Sequence, residues 1–515
     1  MRAFVILLLL CAIVSAGLFD INKSKLKEKF KALKGKLSEK VKTALDKLKE
    51  KFDTTALTDF REKLAGLKDK IRAKLTLTKE KLAEVAERLK VIDRMVKRKK
   101  IVQVQAEGDS IDDINSNAGV AEALYQSDIV LTKEQSDEIV EGILEDGRSK
   151  RQAFRDKNYP QTTWPNRKVP YGYERGVNAK AMTAMDKAAK LWTKDTCIDI
   201  YRDNTANESI RVINGVGCWS YAGKTGGRQN LSLGQGCETV GTAAHELGHA
   251  LGFFHTHSRH DRDQHITVVE KNIDEDWLNQ FTLQTKETND NYGLPYDYGS
   301  LMQYAASSGT KEKKPTTFSM IPNQDMKYID TLGSHIISFI DLYMMNVHYN
   351  CTDICPKVDW ARCRNHGFPH PRDCSRCICP GGYGGDYCDE RPKGCGEILE
   401  AEEEPKIFED RIGSNSKGMA PRYEFDFCHY WIQAPPGKKI RVTLVDFEPE
   451  KAMAVEGCTY GGVEFKWQAD QRLTGSRHCS PDDVGYEFTS TSNIVPVITY
   501  SRIYASTTKF QYKIV

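Results

Sequence analysis

At 515 residues, 28% of them charged and 40% hydrophobic, the chain is too long for one compact domain and reads as three or more folded units. Its net charge of +3 hides two unlike parts: residues 1–151 carry 32 Lys+Arg against 25 Asp+Glu, and the remainder carries 42 against 46. The basic excess sits in a segment expected to be removed, which argues against a nucleic-acid partner.

The first element is an export signal. Arg2 precedes the apolar run Phe4 to Val14, and small residues end at Ala16 with Val14 two places before it, so cleavage is expected after Ala16 and residues 1–16 form the signal peptide. The run is shorter than the ~18 apolar residues of a membrane helix. Asp20 and a lysine-rich stretch follow at once, and no later run is long enough, so no membrane span is expected and the product is secreted. Of fifteen cysteines, Cys11 leaves with the signal; none of the other fourteen lies between residues 17 and 151. An even set lying wholly beyond residue 151 of an exported chain predicts a disulfide framework.

From Asn22 to about Lys100, apolar residues recur in steps of three and four at Leu26, Phe30, Leu33, Leu37, Val41, Leu45, Leu48 and Phe52. That period predicts an amphipathic helix, and the mixed Lys and Glu predict a solvated helical pro-segment rather than a membrane-surface helix. Residues 101–151 turn acidic and end in Arg148-Ser149-Lys150-Arg151. Two basic residues before a scissile bond, with Arg148 upstream, suit an acidic subtilisin-like processing pocket. A processing protease is therefore expected to cut between Arg151 and Gln152, making 17–151 a propeptide. Residues 152–351 have the size of one domain. Six cysteines crowd residues 355–388, and alternating runs such as Ile440 to Val445 and Phe510 to Val515 predict a β-rich unit over 395–515.

The chemistry lies at 245–263, HELGHALGFFHTHSRHDRD. On a helix, His245 and His249 are one turn apart and share a face, so both imidazoles reach one ion. Glu246 sits beside that ion and is placed to act as general base, taking a proton from water and returning it to the leaving amine. A zinc hydrolase keeps three protein ligands and an open position. Gly252 can adopt the left-handed conformation that ends the helix, which returns His255 as the third ligand. His257, His260 and His265 are surplus to such a site.

The extended HExxHxxGxxH pattern resembles the metzincin clan, and Arg259, Asp261, Arg262 and Asp263 match the RxDRD extension of the astacin family. Ser300-Leu301-Met302-Gln303-Tyr304 resembles that family's Met-turn. The resemblance implies one Zn²⁺ per catalytic domain, with Met302 as an apolar floor. It also implies a Tyr304 that ligates at rest and swings off to the oxyanion. Astacins usually carry Glu after the third ligand; here Thr256 stands there, which puts the usual anchoring of the mature N-terminus in doubt. Astacin precursors block zinc with the aspartate of an FxGD motif, and the counterpart here is Asp128 in Tyr125-Gln126-Ser127-Asp128, with Asp109 in Glu107-Gly108-Asp109 as the second candidate.

The same resemblance implies the disulfides Cys197–Cys351 and Cys218–Cys237 in the catalytic domain. An EGF-like module over 352–389 implies Cys355–Cys374, Cys363–Cys377 and Cys379–Cys388. A CUB domain over 395–515 implies Cys395–Cys428 and Cys458–Cys479. Asp426, Asp482 and Asp483 are read as solvated loop residues, with calcium ligation as the alternative. The fold class expected is thus multidomain: a helical pro-segment, an α+β astacin-like metzincin domain, a small disulfide-rich EGF-like module and an all-β CUB sandwich. Asn207, Asn350 and Asn230 fit the N-glycosylation pattern, Asn207 foremost.

The domain order is similar to that of nematode astacins, some of which act in hatching and moulting on cuticle collagens. It implies a secreted zinc metalloendopeptidase made as a zymogen and acting on extracellular proteins, collagenous matrix among them. A binding protein on an inactive protease scaffold is the alternative, and it needs loss of a ligand or of the base; neither is lost. A matrix-metalloprotease-like enzyme needs a pro-segment cysteine, and residues 17–151 contain none. Because every catalytic group named precedes Cys351, a mature chain ending there is expected to cleave short peptides as well as the longer one.

Overall fold

The computed structural model describes residues 35–95, 103–144, 153–154, 161–284, 289–312, 314, 317–449 and 454–515. The signal sequence expected over residues 1–16, the start of the apolar periodicity (Leu26, Phe30, Leu33) and the Arg151–Gln152 junction lie outside the described residues. Among the described residues no helix is long and apolar enough to cross a membrane.

Where the periodicity predicts one solvated helix, the described chain forms four: α1 (Glu39–Leu48), α2 (Thr55–Gly66), α3 (Lys68–Leu75) and α4 (Lys79–Met95). The first is capped by Ser38, whose hydroxyl accepts from Val41 N at 3.3 Å. The second follows Asp53, whose carboxylate accepts from Thr55 N at 2.9 Å and Thr55 Oγ1 at 2.6 Å. The breaks have a packing reason. A single helix leaves its stripe in water, whereas these short helices bury Leu45, Leu48, Leu57, Phe60, Leu64 and Ile71 in one cluster with Tyr125, Trp219, Phe254 and Phe281. The N-terminal segment thus shares a core with the unit that follows it. The short helix α5 (Ile111–Ala118), strand β1 (Ile129–Val130) and helix α6 (Lys133–Leu144) continue this layer. Lys63 of α2 ties α6 in through Asp137 at 2.8 Å.

After the short strand β2 (Ala153–Phe154) come β3 (Lys168–Tyr173), helix α7 (Ala179–Lys194), β4 (Asp199–Arg202), β5 (Ser209–Ile213), β6 (Cys218–Tyr221), β7 (Arg228–Leu233) and helix α8 (Val240–Ala250). They build a sheet in the order β1-β6-β7-β5-β3-β4. Strand β6 runs antiparallel to β7, and β1 of the N-terminal segment adds to the β6 edge in parallel register, Ile129 opposite Ser220. Helix α7 offers the small residues Ala181, Ala184 and Ala188, so α8 approaches closely enough for Trp192 Nε1 to donate to the Ala244 carbonyl at 2.9 Å. Beyond α8 lie β8 (Ile266–Val268), paired with β10 (Met320–Pro322), and β9 (Asn289–Asp290), paired with β2; helix α9 (Phe339–His348) closes the unit.

Helix α10 (Lys357–Trp360) and the hairpin β11 (Phe368–His370) with β12 (Asp373–Ile378) form the cysteine-dense segment. A two-sheet sandwich follows. One sheet orders β13 (Ile398–Glu400), β15 (Asp426–Gln433), β20 (Ile494–Ser501), β17 (Gly461–Phe465) and β18 (Ser476–His478). The other orders β14 (Lys406–Gly413), β21 (Ala505–Ile514), β16 (Ile440–Pro449) and β19 (Glu487–Thr489). Val442, Leu444, Phe465, Val497 and Phe510 fill the space between. The disulfides are Cys197–Cys351, Cys218–Cys237, Cys355–Cys374, Cys363–Cys377, Cys379–Cys388, Cys395–Cys428 and Cys458–Cys479. Asp426 pairs with Arg422 at 2.6 Å, and Asp483 accepts from Cys479 N and Ser480 N at 3.0 Å.

Candidate metal centre

Helix α8 begins at Thr239, whose hydroxyl accepts from Thr242 N at 3.1 Å. Just past its end comes Gly252, φ +114°, where a Cβ would meet His348 Nε2 at 2.9 Å. The chain reverses there and carries His255 back to His245 and His249, with ring centroids 5.0 and 4.8 Å away. Met302 is fully buried beneath, its sulfur 2.9 Å from where a Cβ on Gly248 would stand, so a larger residue at 248 would displace the Met302 thioether. Arg259 holds the turn, gripping Asp261 at 2.9 and 2.7 Å and donating to the Leu294 and Pro295 carbonyls. Arg262 donates to the carbonyls of His257 and Phe281.

Each of the three rings spends its Nδ1 elsewhere: His245 on the Leu301 carbonyl at 2.8 Å, His249 on the Phe253 carbonyl at 2.7 Å, His255 on Gln126 Oε1 at 3.0 Å. An Nδ1–H donating to an oxygen leaves Nε2 a bare lone pair. The three Nε2 atoms converge, His245 and His255 only 3.0 Å apart. The Asp128 carboxylate closes the fourth side, 3.3, 3.4 and 3.2 Å from the Nε2 atoms of His245, His249 and His255. All four side chains are buried, and among the described residues His249 Nε2 and both Asp128 oxygens have no hydrogen-bond partner. Lone pairs this close with no proton between them repel one another, and a cation removes the conflict. Three imidazole nitrogens and a carboxylate oxygen within 4.8 Å of one another fit one tetrahedral Zn²⁺.

Asp128 reaches this point because Gln126 and Ser127 both take left-handed backbone conformations, φ +45° and +64°. Asn115 fixes the approach: its amide donates to the Ser127 carbonyl at 2.9 Å and the Cys218 carbonyl at 2.6 Å, and its oxygen accepts from Cys218 N at 2.7 Å. The sequence marks neither Asn115 nor Gln126 for these roles. Gln126 stands inside the tetrad that ends at Asp128, but nothing local identifies it as a histidine partner. Asp109 lies elsewhere, accepting from Val104 N, Gln105 N and the Tyr460 hydroxyl.

Glu246 follows the first histidine on α8 and is fully buried, neither oxygen having a hydrogen-bond partner among the described residues. Burial, and then the Asp128 charge, push its carboxyl well above the usual carboxylate range. The Tyr304 ring stacks on His257 at 4.1 Å and leans on His255 at 4.4 Å. Its hydroxyl donates to the Gln126 carbonyl and Ser127 Oγ, so the N-terminal segment engages it directly. Outside the cluster, His257 bonds the Gln280 carbonyl, His260 bonds Asn291, and His265 stacks on Tyr296. Thr256 donates to Ser300 Oγ at 2.9 Å, and Ser300 to Asp341 at 2.6 Å, whose carboxyl burial pushes up to about 6. Asn207 and Asn350 are exposed; Asn230 is half-buried in β7 and donates to the Lys51 carbonyl.

Residues 156–350 match the family model Astacin (Peptidase family M12A). The chain is 44% identical over 410 residues to zinc metalloproteinase nas-31 of Caenorhabditis elegans, an alignment covering 79% of this chain and 65% of that one. It is 35% identical over 411 residues to zinc metalloproteinase nas-32 of the same organism, covering 78% and 60%. It is 34% identical over 411 residues to zinc metalloproteinase nas-17, also of C. elegans, covering 79% and 89%. The chain thus spans just under two thirds of the length of the first two relatives.

Proposed function

The chain belongs to the astacin family, and on that premise we propose that it is a secreted zinc endopeptidase held latent by its own N-terminal segment. The observation that carries the reading is the convergence of three bare imidazole nitrogens and the Asp128 carboxylate on one point, with Glu246 buried beside it. Residues 1–16 are read as the signal and 17–151 as a propeptide cut between Arg151 and Gln152 by another protease. Residues 152–351 are the catalytic domain, 352–389 an EGF-like module and 395–515 a CUB domain. Seven disulfides suit export to an oxidising compartment. Extracellular proteins are the substrate class, with the collagenous matrix of cuticle or eggshell, in moulting or hatching, as the proposed setting.

A zinc ion held by His245, His249 and His255 supplies a Lewis acid that acidifies water and polarises a peptide carbonyl. The chain's own residues do the rest. Asp128 occupies the side of the cradle that catalysis needs open; burial chiefly raises the Glu246 carboxyl, and the departure of Asp128 removes the lesser, charge contribution. Glu246 then takes the proton of the attacking water and passes it to the leaving amine. Tyr304, released from Gln126 and Ser127, is able to donate its hydroxyl to the developing oxyanion. Loss of β1 frees the backbone edge of β6 for an extended peptide. The test is Glu246→Ala in the mature protein. It should keep the fold and one zinc per chain, by metal analysis, while hydrolysis is lost. His249→Ala should lose the metal as well. Substantial turnover in Glu246→Ala overturns the proton-shuttle assignment.

A further inference from the structure

Far from the histidines, the N-terminal segment makes a second contact, with the C-terminal sandwich. Val104 packs against Val455, Tyr460 and Ile503. Five residues on, the buried Asp109 carboxylate accepts from the Tyr460 hydroxyl at 2.5 Å, its other bonds going to the nearby backbone N–H groups of Val104 and Gln105. Behind Tyr460 lies Arg502, only 2% exposed, its guanidinium 5.0 Å over the Tyr460 ring and 5.2 Å over the Phe425 ring. Among the described residues its Nε has no hydrogen-bond partner, and its Nη2 lies 3.5 Å from His335 Nδ1. A buried cation so placed attracts any carboxylate brought to the Tyr460 hydroxyl.

This face does not depend on the N-terminal segment for its position. Glu456 accepts from Ser307 N at 3.1 Å and Ser307 Oγ at 2.8 Å, and Gly457, φ +74°, lies so close to the Gly333 carbonyl that no side chain fits. Both contacts join the sandwich to the catalytic unit directly. Ser110, next to Asp109, lines with His335, His245 and Asp128 a cavity beside the metal centre.

We propose that, in the mature enzyme, the face of Tyr460, Arg502, Val455 and Ile503 is a docking site for an acidic stretch of the protein substrate. An aliphatic side chain fills the Val455–Ile503 patch, and a carboxylate about five residues along takes the Tyr460 hydroxyl. This rests on the reading that the segment ending at Arg151 is removed, because that segment occupies the site until then. Residues 152–515 carry 42 Lys+Arg against 46 Asp+Glu, so the bulk of the mature protein offers acidic sequences no attraction of its own and a local cation is what selects them.

The probe is a labelled peptide of residues 103–112, titrated by fluorescence anisotropy against the mature protein. It should bind. Asp109→Asn in the peptide, and separately Tyr460→Phe in the enzyme, should each weaken binding about tenfold or more, since each loses a charge-assisted hydrogen bond. The two changes together should weaken it little further. Tyr460→Phe should also raise KM for an acidic protein substrate while kcat on a short neutral peptide stays unchanged. No binding, or binding indifferent to both substitutions, overturns the docking site. The mass of the mature N-terminus and the zinc content of the same sample report separately on processing and on the metal centre, so a failure there is told apart from a failure here.

Discussion

Asp128 stands at the histidines at a cost. Gln126 and Ser127 hold left-handed conformations that L-residues resist by roughly 1–2 kcal/mol each, offset by the hydrogen bonds of Asn115 and Tyr304 to this turn. If that arrangement is the latency switch, Asp128→Ala in a precursor made uncleavable at Arg148–Arg151 should hydrolyse peptides while the uncleavable parent stays silent. A silent variant would remove the switch from Asp128. In the mature protein Tyr304→Phe should lower kcat about 10²–10³-fold with zinc content and KM little changed. A change confined to KM contradicts a role in the transition state. His245, Glu246, His249 and His255 are legible in the sequence because a helix turn and one glycine fix their relation within eleven positions. Asn115 and Gln126 are not. Asn115 works on a strand about a hundred residues away, and Gln126 meets His255 only once the N-terminal layer has docked.

At the scale of elements, the periodicity places Val41, Leu45 and Leu48 on the buried face of a helix, but Leu37 and Phe52 fall outside it, because the period says nothing of where a helix begins or ends. Asp53 just ahead of Thr55 is a start signal that could have been read. The breaks serve docking, since Phe60 of α2 is fully buried and meets the Tyr125 ring edge-on at 5.7 Å, and Tyr125 in turn meets Phe254 at 6.2 Å. This stack links α2 through the Gln126–Asp128 turn to the catalytic unit. Phe60→Ala should cost ~3–5 kcal/mol of precursor stability and make the N-terminal segment release sooner after cleavage. Calorimetry of the precursor and the lag before activity appears both report it. An enzyme cut after Arg151, as proposed, loses Phe60 and should show unchanged kcat/KM; an unchanged precursor melting point would show that the stack does not hold the segment.

At the scale of the molecule, the order of units is legible from cysteine spacing and alternating patterns, but how they pack is not, because interdomain contacts follow no sequence period. From the sequence alone a mature chain ending at Cys351 should cleave short peptides undiminished, and the packing argues otherwise. Asp297, five residues before Met302, is fully buried and accepts from Thr474 N at 3.0 Å and Thr474 Oγ1 at 3.1 Å, both from the sandwich. Arg477 donates to Ser334 Oγ at 2.7 Å, and Tyr328 faces Trp467 with ring centroids 6.0 Å apart. Removing residues 352–515 strips these partners from the loop that positions Met302 and Tyr304 and opens Asp297 to water. At roughly 1 kcal/mol per net hydrogen bond lost, and 2–4 °C per kcal/mol for a unit of this size, the truncated protein should melt about 5–10 °C lower. It should keep its zinc, because His245, His249 and His255 precede the cut, but lose part of its kcat on short peptides as Tyr304 loosens. Thr474→Val in the full mature chain, which removes one of these bonds without removing a domain, should lower the melting point by about 3 °C and move kcat in the same direction. An undiminished kcat in both proteins would show that the sandwich serves substrate docking alone and does not support the active-site loop.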